Sequence, residues 1–226
     1  MRLPGFPLAF AVGVLLPISL AGAEARAAAH EPVLTTNCME SGDPRTADDV
    51  LPAPAARPLP VPTPLDARRL AEADSYQNVF RILTGENPCS RFFGGPAKAA
   101  EAFNQFARQL SLRRLDDPRV AVRMSGDYTR YVNNETGAAY RLFDKATINS
   151  EGPLGVGRAS RVQIGRYAAH TPQARALVLL HELGHLVEGP AGDWLLPNDG
   201  GDGDMSERNT RKVEAHCSDQ LKAIRD

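Results

Sequence analysis

The sequence predicts an α+β domain of about 160 residues, from Leu65 to Asp226, and three observations point to it. Apolar residues recur at helical spacing in 65–83 and 97–112. Short strand-like segments then crowd together between Val120 and Asn149. A long apolar run, 174–187, and an amphipathic stretch near the end return the pattern to helical. Helices and strands in separate blocks indicate α+β rather than a parallel α/β sheet.

The domain is preceded by two segments of different character. Residues 1–23 have Arg2, an apolar stretch from Phe6 to Leu20, and the small residues Ala21, Gly22 and Ala23, the pattern of a secretory signal peptide with its cleavage site. Pro7 and Pro17 and the short length argue against a spanning helix, so no membrane span is expected after cleavage. Cys38 follows Thr35, Thr36 and Asn37, which is not a lipid-attachment context. Residues 24–64 read as a disordered tail and linker, with six of the chain's 18 prolines between Leu51 and Pro64. The expected location is secreted or periplasmic. With 26 basic and 27 acidic residues the chain has no basic footprint for nucleic acid.

Within the domain, Ala67, Leu70, Ala71, Ala73, Val79, Ile82 and Leu83 mark the first helix, and Ala100, Phe103, Phe106 and Leu110 the second, 97–112. Residues 85–96 between them read as a loop. Strands are expected at 120–124, 128–132, 139–143 and 146–149, with 133–137, ending in Gly137, as a hairpin loop. Thr171 can cap the next helix, and Pro172 suits its first position, where a missing N–H costs nothing. That helix should run to about Glu188, with Gly189 as a left-handed terminator and Pro190 as a stop. Gly184 inside it costs about 1 kcal/mol relative to Ala, so a close backbone approach is expected there. The Asp- and Gly-rich run 198–204 lacks a full calcium loop and reads as a solvated turn. Ser206 then caps a last helix whose buried face is Thr210, Val213, Cys217, Leu221 and Ile224. Of three cysteines Cys38 lies in the tail, so Cys89 and Cys217 are expected to be bonded to each other.

The chemistry gathers at His181-Glu182-Leu183-Gly184-His185, which reads H-E-x-x-H. Histidines four apart share a helix face at roughly 5–6 Å between Cβ atoms and can hold one Zn²⁺. Glu182, about 100° round the helix, can address a water rather than the ion. With five His and 27 acidic residues, chance supplies roughly 0.01 such motifs.

On this motif and its helix, the last third of the chain resembles the zincin metallopeptidases. The resemblance implies a zincin-like domain with N-terminal helices, a small mainly antiparallel sheet, the H-E-x-x-H helix with an edge strand beside it, and a C-terminal helix. The metzincin variant would need Gly at 188 and His at 191, where the chain has Glu188 and Ala191. Glu188 is also about 10.5 Å along the helix from His181, too far to share an ion with it. In gluzincins the third ligand is a Glu on a downstream helix, which fits Glu207 or Glu214, although the N-E-x-x-S-D pattern of that family is missing. Pro197, Asp199, Ser206, Asn209, Thr210, Val213 and Cys217 are similar to a group of secreted bacterial H-E-L-G-H proteins of mostly unassigned activity. That likeness favours Asp199, with Glu214 and Glu207 as alternatives.

The expected function is that of an exported zinc-dependent metallopeptidase. Glu182 is the general base, with Tyr167, His170 and His216 available to stabilise an oxyanion. The expected substrate is a peptide or protein, bound as an added strand along 146–149. The alternative is a non-enzymatic exported binding protein on the same scaffold, with a structural or vestigial metal site.

Overall fold

The computed structural model describes residues 51–52, 67–152, 154 and 163–225, and for 51–52 and 67–72 the backbone alone. The expected signal peptide, most of the Pro-rich tail and Cys38 lie outside the described residues.

Helix α1, Ala67–Thr84, buries Ala73, Val79, Ile82 and Leu83. The stretch expected to be a loop contains a short helix, α2, Pro88–Phe92. Asn87 Oδ1 accepts from Ser90 N at 2.9 Å, and Ser90 Oγ accepts from Asn87 N at 3.2 Å, a reciprocal cap with Pro88 at the first position. Helix α3 spans Pro96–Gln109 and buries Phe103 and Phe106. It stops three residues short of the expected end, because Leu110–Arg113 leaves it as strand β2.

Strands β3, Val122–Asn133, and β4, Ala138–Asn149, form one antiparallel hairpin where four shorter strands were expected. Its register shifts between Ser125 and Tyr128, around Gly126 at φ 85°. A Cβ on Gly126 would meet Asp144 at 2.9 Å. The expected hairpin loop is present, closed by Gly137 N donating to Asn133 O at 2.8 Å. Strand β1, Leu51–Pro52, pairs parallel with Tyr131 and Val132, so two residues of the Pro-rich stretch belong to the sheet.

The sheet order is β1-β3-β4-β2. It is mixed rather than mainly antiparallel, since both outer strands pair parallel to their neighbours. Residues 146–149 are flanked by β3 on one side and Leu110–Arg113 on the other. The expected strand addition along 146–149 is therefore excluded, as their backbone groups are already paired. A small hairpin follows, β5 (Gln163–Ile164) and β6 (Tyr167–Ala168), then helix α4, Pro172–Leu186, and helix α5, Gly203–Lys222.

Apolar faces of α1, α3, α4 and α5 join β3 and β4 in one core that includes Phe93, Tyr140, Met124, Leu177, Leu180, Leu183 and Val213. Cys89 of α2 and Cys217 of α5 are disulfide-bonded, with Cα atoms 4.4 Å apart, as expected. No helix among the described residues is long and apolar enough to cross a membrane.

Candidate metal centre

Helix α4 begins as its sequence dictates. Thr171 Oγ1 accepts from Ala174 N at 3.1 Å, and Pro172 takes the first position. Its end differs from the expectation. The last helical residue is Leu186, Val187 is extended, and Gly189 does not have the positive φ of a left-handed terminator. The reason is tertiary: Val187 bridges to Tyr140 of β4 and Glu188 to Trp194, so the chain turns into a hairpin instead of a helical cap. Gly189 N donates to Asp193 O at 2.7 Å and Leu195 N to Val187 O at 2.9 Å within it.

The returning arm explains Gly184. Leu196 N donates to Gly184 O at 2.9 Å, and a Cβ on Gly184 would meet Leu196 Cγ at 2.6 Å. The close approach is thus made by Leu196, from the chain's own return, and not by an edge strand. Gly184→Ala gains about 1 kcal/mol in helix propensity, but Leu196 is fully buried and overpacking costs about 1–3 kcal/mol. Chemical denaturation should show net destabilisation; an increase in midpoint would mean that Leu196 can give way.

Three residues beyond Leu196, the arm delivers Asp199 to the histidines. Asp199 Oδ2 lies 3.1 Å from His181 Nε2 and 3.5 Å from His185 Nε2, and the two Nε2 atoms are 3.0 Å apart. All three side chains are buried. Among the described residues they are the group of three or more His, Cys, Asp and Glu whose ligand atoms converge. Lys212 of α5 fixes the arm through Leu195 O at 3.0 Å, and Asn209 does so through Pro197 O at 3.0 Å.

Thr210 Oγ1 stands 2.9 Å from His181 Nδ1. In the tautomer with Nδ1–H donating to that hydroxyl, Nε2 carries a lone pair for a metal ion; with a proton on Nε2 it donates to Asp199 instead. Burial lowers the His181 pKa; the hydrogen bond with Asp199 opposes this, and His185 adds to it. Burial pushes the Asp199 carboxyl up, but hydrogen bonds from His181 and then His185 outweigh it and hold the group well below the usual carboxylate range. The donor set is therefore two imidazole nitrogens and one carboxylate.

The chemistry of that set fits a cation. Lone pairs this close in a buried place repel one another unless a positive charge sits among them. Atoms separated by 3.0, 3.1 and 3.5 Å converge closely enough that all three could hold one metal ion.

The alternative ligands stand elsewhere. Glu214 accepts from Arg166 Nε in a very short contact and from Arg166 N at 3.4 Å, one helical turn past Thr210. Glu207 pairs with Arg211 at 3.0 Å on the surface of α5. Glu188 is held by Arg130 at 2.7 Å. Neither Glu207 nor Glu214 joins the histidines, because α5 turns both carboxylates to arginines. Glu182 is fully buried on α4 between the two histidines.

Of the expected oxyanion residues, none supplies one of the converging ligand atoms. His170 immediately precedes Thr171, which is about 15 Å of helix from His181. It is the non-glycine residue of positive φ, 69°, among those described, and Tyr167 lies in the preceding hairpin. His216, on the exposed side of α5, stacks on Phe92 with ring centroids 4.4 Å apart. The Asp- and Gly-rich run has its own explanation: Asp202 caps α5 by accepting from Asp204 N at 3.0 Å and Met205 N at 3.1 Å. Ser206, the expected cap, is buried one turn inside. A cavity of about 360 Å³ lies past the end of α4, lined by Phe92, Lys98, Ala138, Val187 and Pro190 among others, and none of the three converging residues lines it. Compared with family models, curated proteins and solved structures, the chain matches none.

Proposed function

We propose that the protein is a zinc-dependent metallopeptidase of zincin type, exported from the cell, acting on peptide or protein substrates. The observation that carries the reading is the convergence of His181 Nε2, His185 Nε2 and Asp199 Oδ2 within 3.5 Å, with Glu182 following His181 in sequence on α4. Three protein ligands leave a fourth position, the count of catalytic rather than structural zinc sites. Zn²⁺ held there would polarise a scissile carbonyl and acidify a water.

The rest is the work of this chain's side chains. His181 and His185 would ligate through Nε2, with Thr210 Oγ1 at Nδ1 orienting the His181 ring. Asp199 supplies one negative charge without drawing on Glu182. Glu182 takes the proton from the attacking water and hands it to the departing amine. Export is supported by the Cys89–Cys217 disulfide, a bond that persists in oxidising compartments.

One observation favours the second reading, an exported binding protein with a structural or vestigial metal. Glu182, His181, His185 and Asp199 are each at most 2% exposed. A closed site suits a metal that only holds structure. Metal analysis of the purified chain, wild type beside His185→Ala, joined to hydrolysis of a peptide library with and without chelator, separates the readings. The expected result is zinc in the wild type alone and cleavage that chelator stops. Zinc without cleavage selects the structural reading; a wild type without zinc removes the enzyme.

A further inference from the structure

Helix α4 ends without a glycine cap, so its last carbonyls must find donors elsewhere. Val187 N serves Leu183 O, and Leu196 N serves Gly184 O. The next carbonyl, that of the second histidine, accepts from a side chain on the sheet: Arg141 Nε donates to His185 O at 2.9 Å.

Arg141 is an unusual donor for this place. It is 5% exposed, on the interior strand β4. A guanidinium taken out of water is costly unless its charge is met. Here the ring of Trp194 lies 4.1 Å from its central carbon, Tyr128 at 5.0 Å and Phe143 at 5.4 Å. Tyr128 in turn meets Trp194 edge-on at 6.0 Å. Aromatic faces attract a cation, and the carbonyl end of a helix does so as well. Arg141 is thereby held in one orientation.

What that orientation controls is the path from His185 to Asp199. The segment starts at the carbonyl that Arg141 binds, runs through the hairpin on which Trp194 stacks against Arg141, and reaches Asp199 five residues later. We propose that Arg141 is a positioning residue of the metal centre, which fixes the end of α4 and the Trp194 hairpin relative to each other so that Asp199 meets both histidines. The inference rests on the metal-site reading above. Arg141 acts through the backbone of His185 and the ring of Trp194. Lys cannot replace it fully: an ammonium keeps the charge over Trp194 but lacks the planar fork that reaches a carbonyl at the same time.

The test uses the purified full chain as wild type, Arg141→Met and Arg141→Lys. Zinc affinity is measured by chelator competition, and the visible absorption bands are recorded with Co²⁺ in place of zinc. Arg141→Met should bind zinc about 10–100-fold more weakly, the usual effect of losing an outer-shell partner. Its Co²⁺ bands should shift even at saturation. Arg141→Lys should recover part of the affinity. Phe106→Leu, in the core under α3, lowers stability without touching this path and should leave the bands unmoved. If Arg141→Met loses its far-UV circular dichroism, Arg141→Lys decides: weaker zinc and shifted bands support the inference, wild-type values overturn it. Wild-type affinity and bands in both variants overturn the inference alone. A wild type that binds no metal overturns the metal-site reading and this inference with it.

Discussion

Glu182→Gln should keep its zinc and lose at least about 100-fold in peptide hydrolysis, the range for removing a general base. The two histidines lie four residues apart on one face of α4, and Glu182 is turned from that face by about 100°. The converging ligand atoms come from His181, His185 and Asp199, and Glu182 is not one of them. An amide at this position is nearly isosteric with the carboxylate, so the packing of a fully buried residue is preserved. It cannot take a proton from water. Zinc content and turnover should therefore part company: stoichiometric metal, with the rate gone. Metal analysis and hydrolysis of a peptide library on the same preparation check it. A variant that cleaves as fast as wild type would remove Glu182 as the base while leaving the metal site standing.

What the sequence made legible is mostly local. The spacing of His181 and His185, the Thr171 cap and Pro172 lie within one helix, so their geometry follows from 3.6 residues per turn. The Cys89–Cys217 bond was legible for another reason: with one of three cysteines in the tail, few pairings remained. Leu110–Arg113 was misread because Leu110 continues the helical spacing of Phe103 and Phe106. Pairing with Ala146–Asn149, a contact 36 residues distant, overrides that local signal. Gly184 announced a close approach but not its agent, since a missing Cβ reports lack of room and not what fills the room.

The helix end carried the largest misreading. Gly189 and Pro190 have the composition of a terminator, yet the chain leaves the helix at Val187 to bridge Tyr140. Tertiary donors, Leu196 N and Arg141 Nε, replace the local cap. No window of sequence around α4 contains Arg141, and nothing local marks Thr210 as a partner of His181. The same hairpin explains why Asp199 and Glu214 could not be separated on spacing alone. Either can return to a helix; which one does depends on a turn at 189–193 and on whether an arginine claims the other.

That distinction gives the second large effect. Asp199→Ala should lose zinc, and Glu214→Ala should keep it. Removing Asp199 leaves two imidazoles, too few for the usual catalytic zinc site. It also removes the negative charge that two buried nitrogens and an ion require. The affinity loss should exceed the about 10–100-fold that an outer-shell partner is worth. Glu214 is committed to Arg166, whose side chain is 55% exposed. Losing that pair frees Arg166 to solvent, with the histidines and Asp199 untouched. Glu207→Ala, which breaks only a surface pair with Arg211, serves as a second control. Chelator competition on the three variants, with far-UV circular dichroism and the emission of Trp194, the chain's single tryptophan, tells metal loss from unfolding. Zinc retained at wild-type affinity in Asp199→Ala would remove Asp199 from the ligand set. Zinc lost from Glu214→Ala in a folded chain would mean that α5 moves to deliver its carboxylate, and the site described would be a resting arrangement of different ligands.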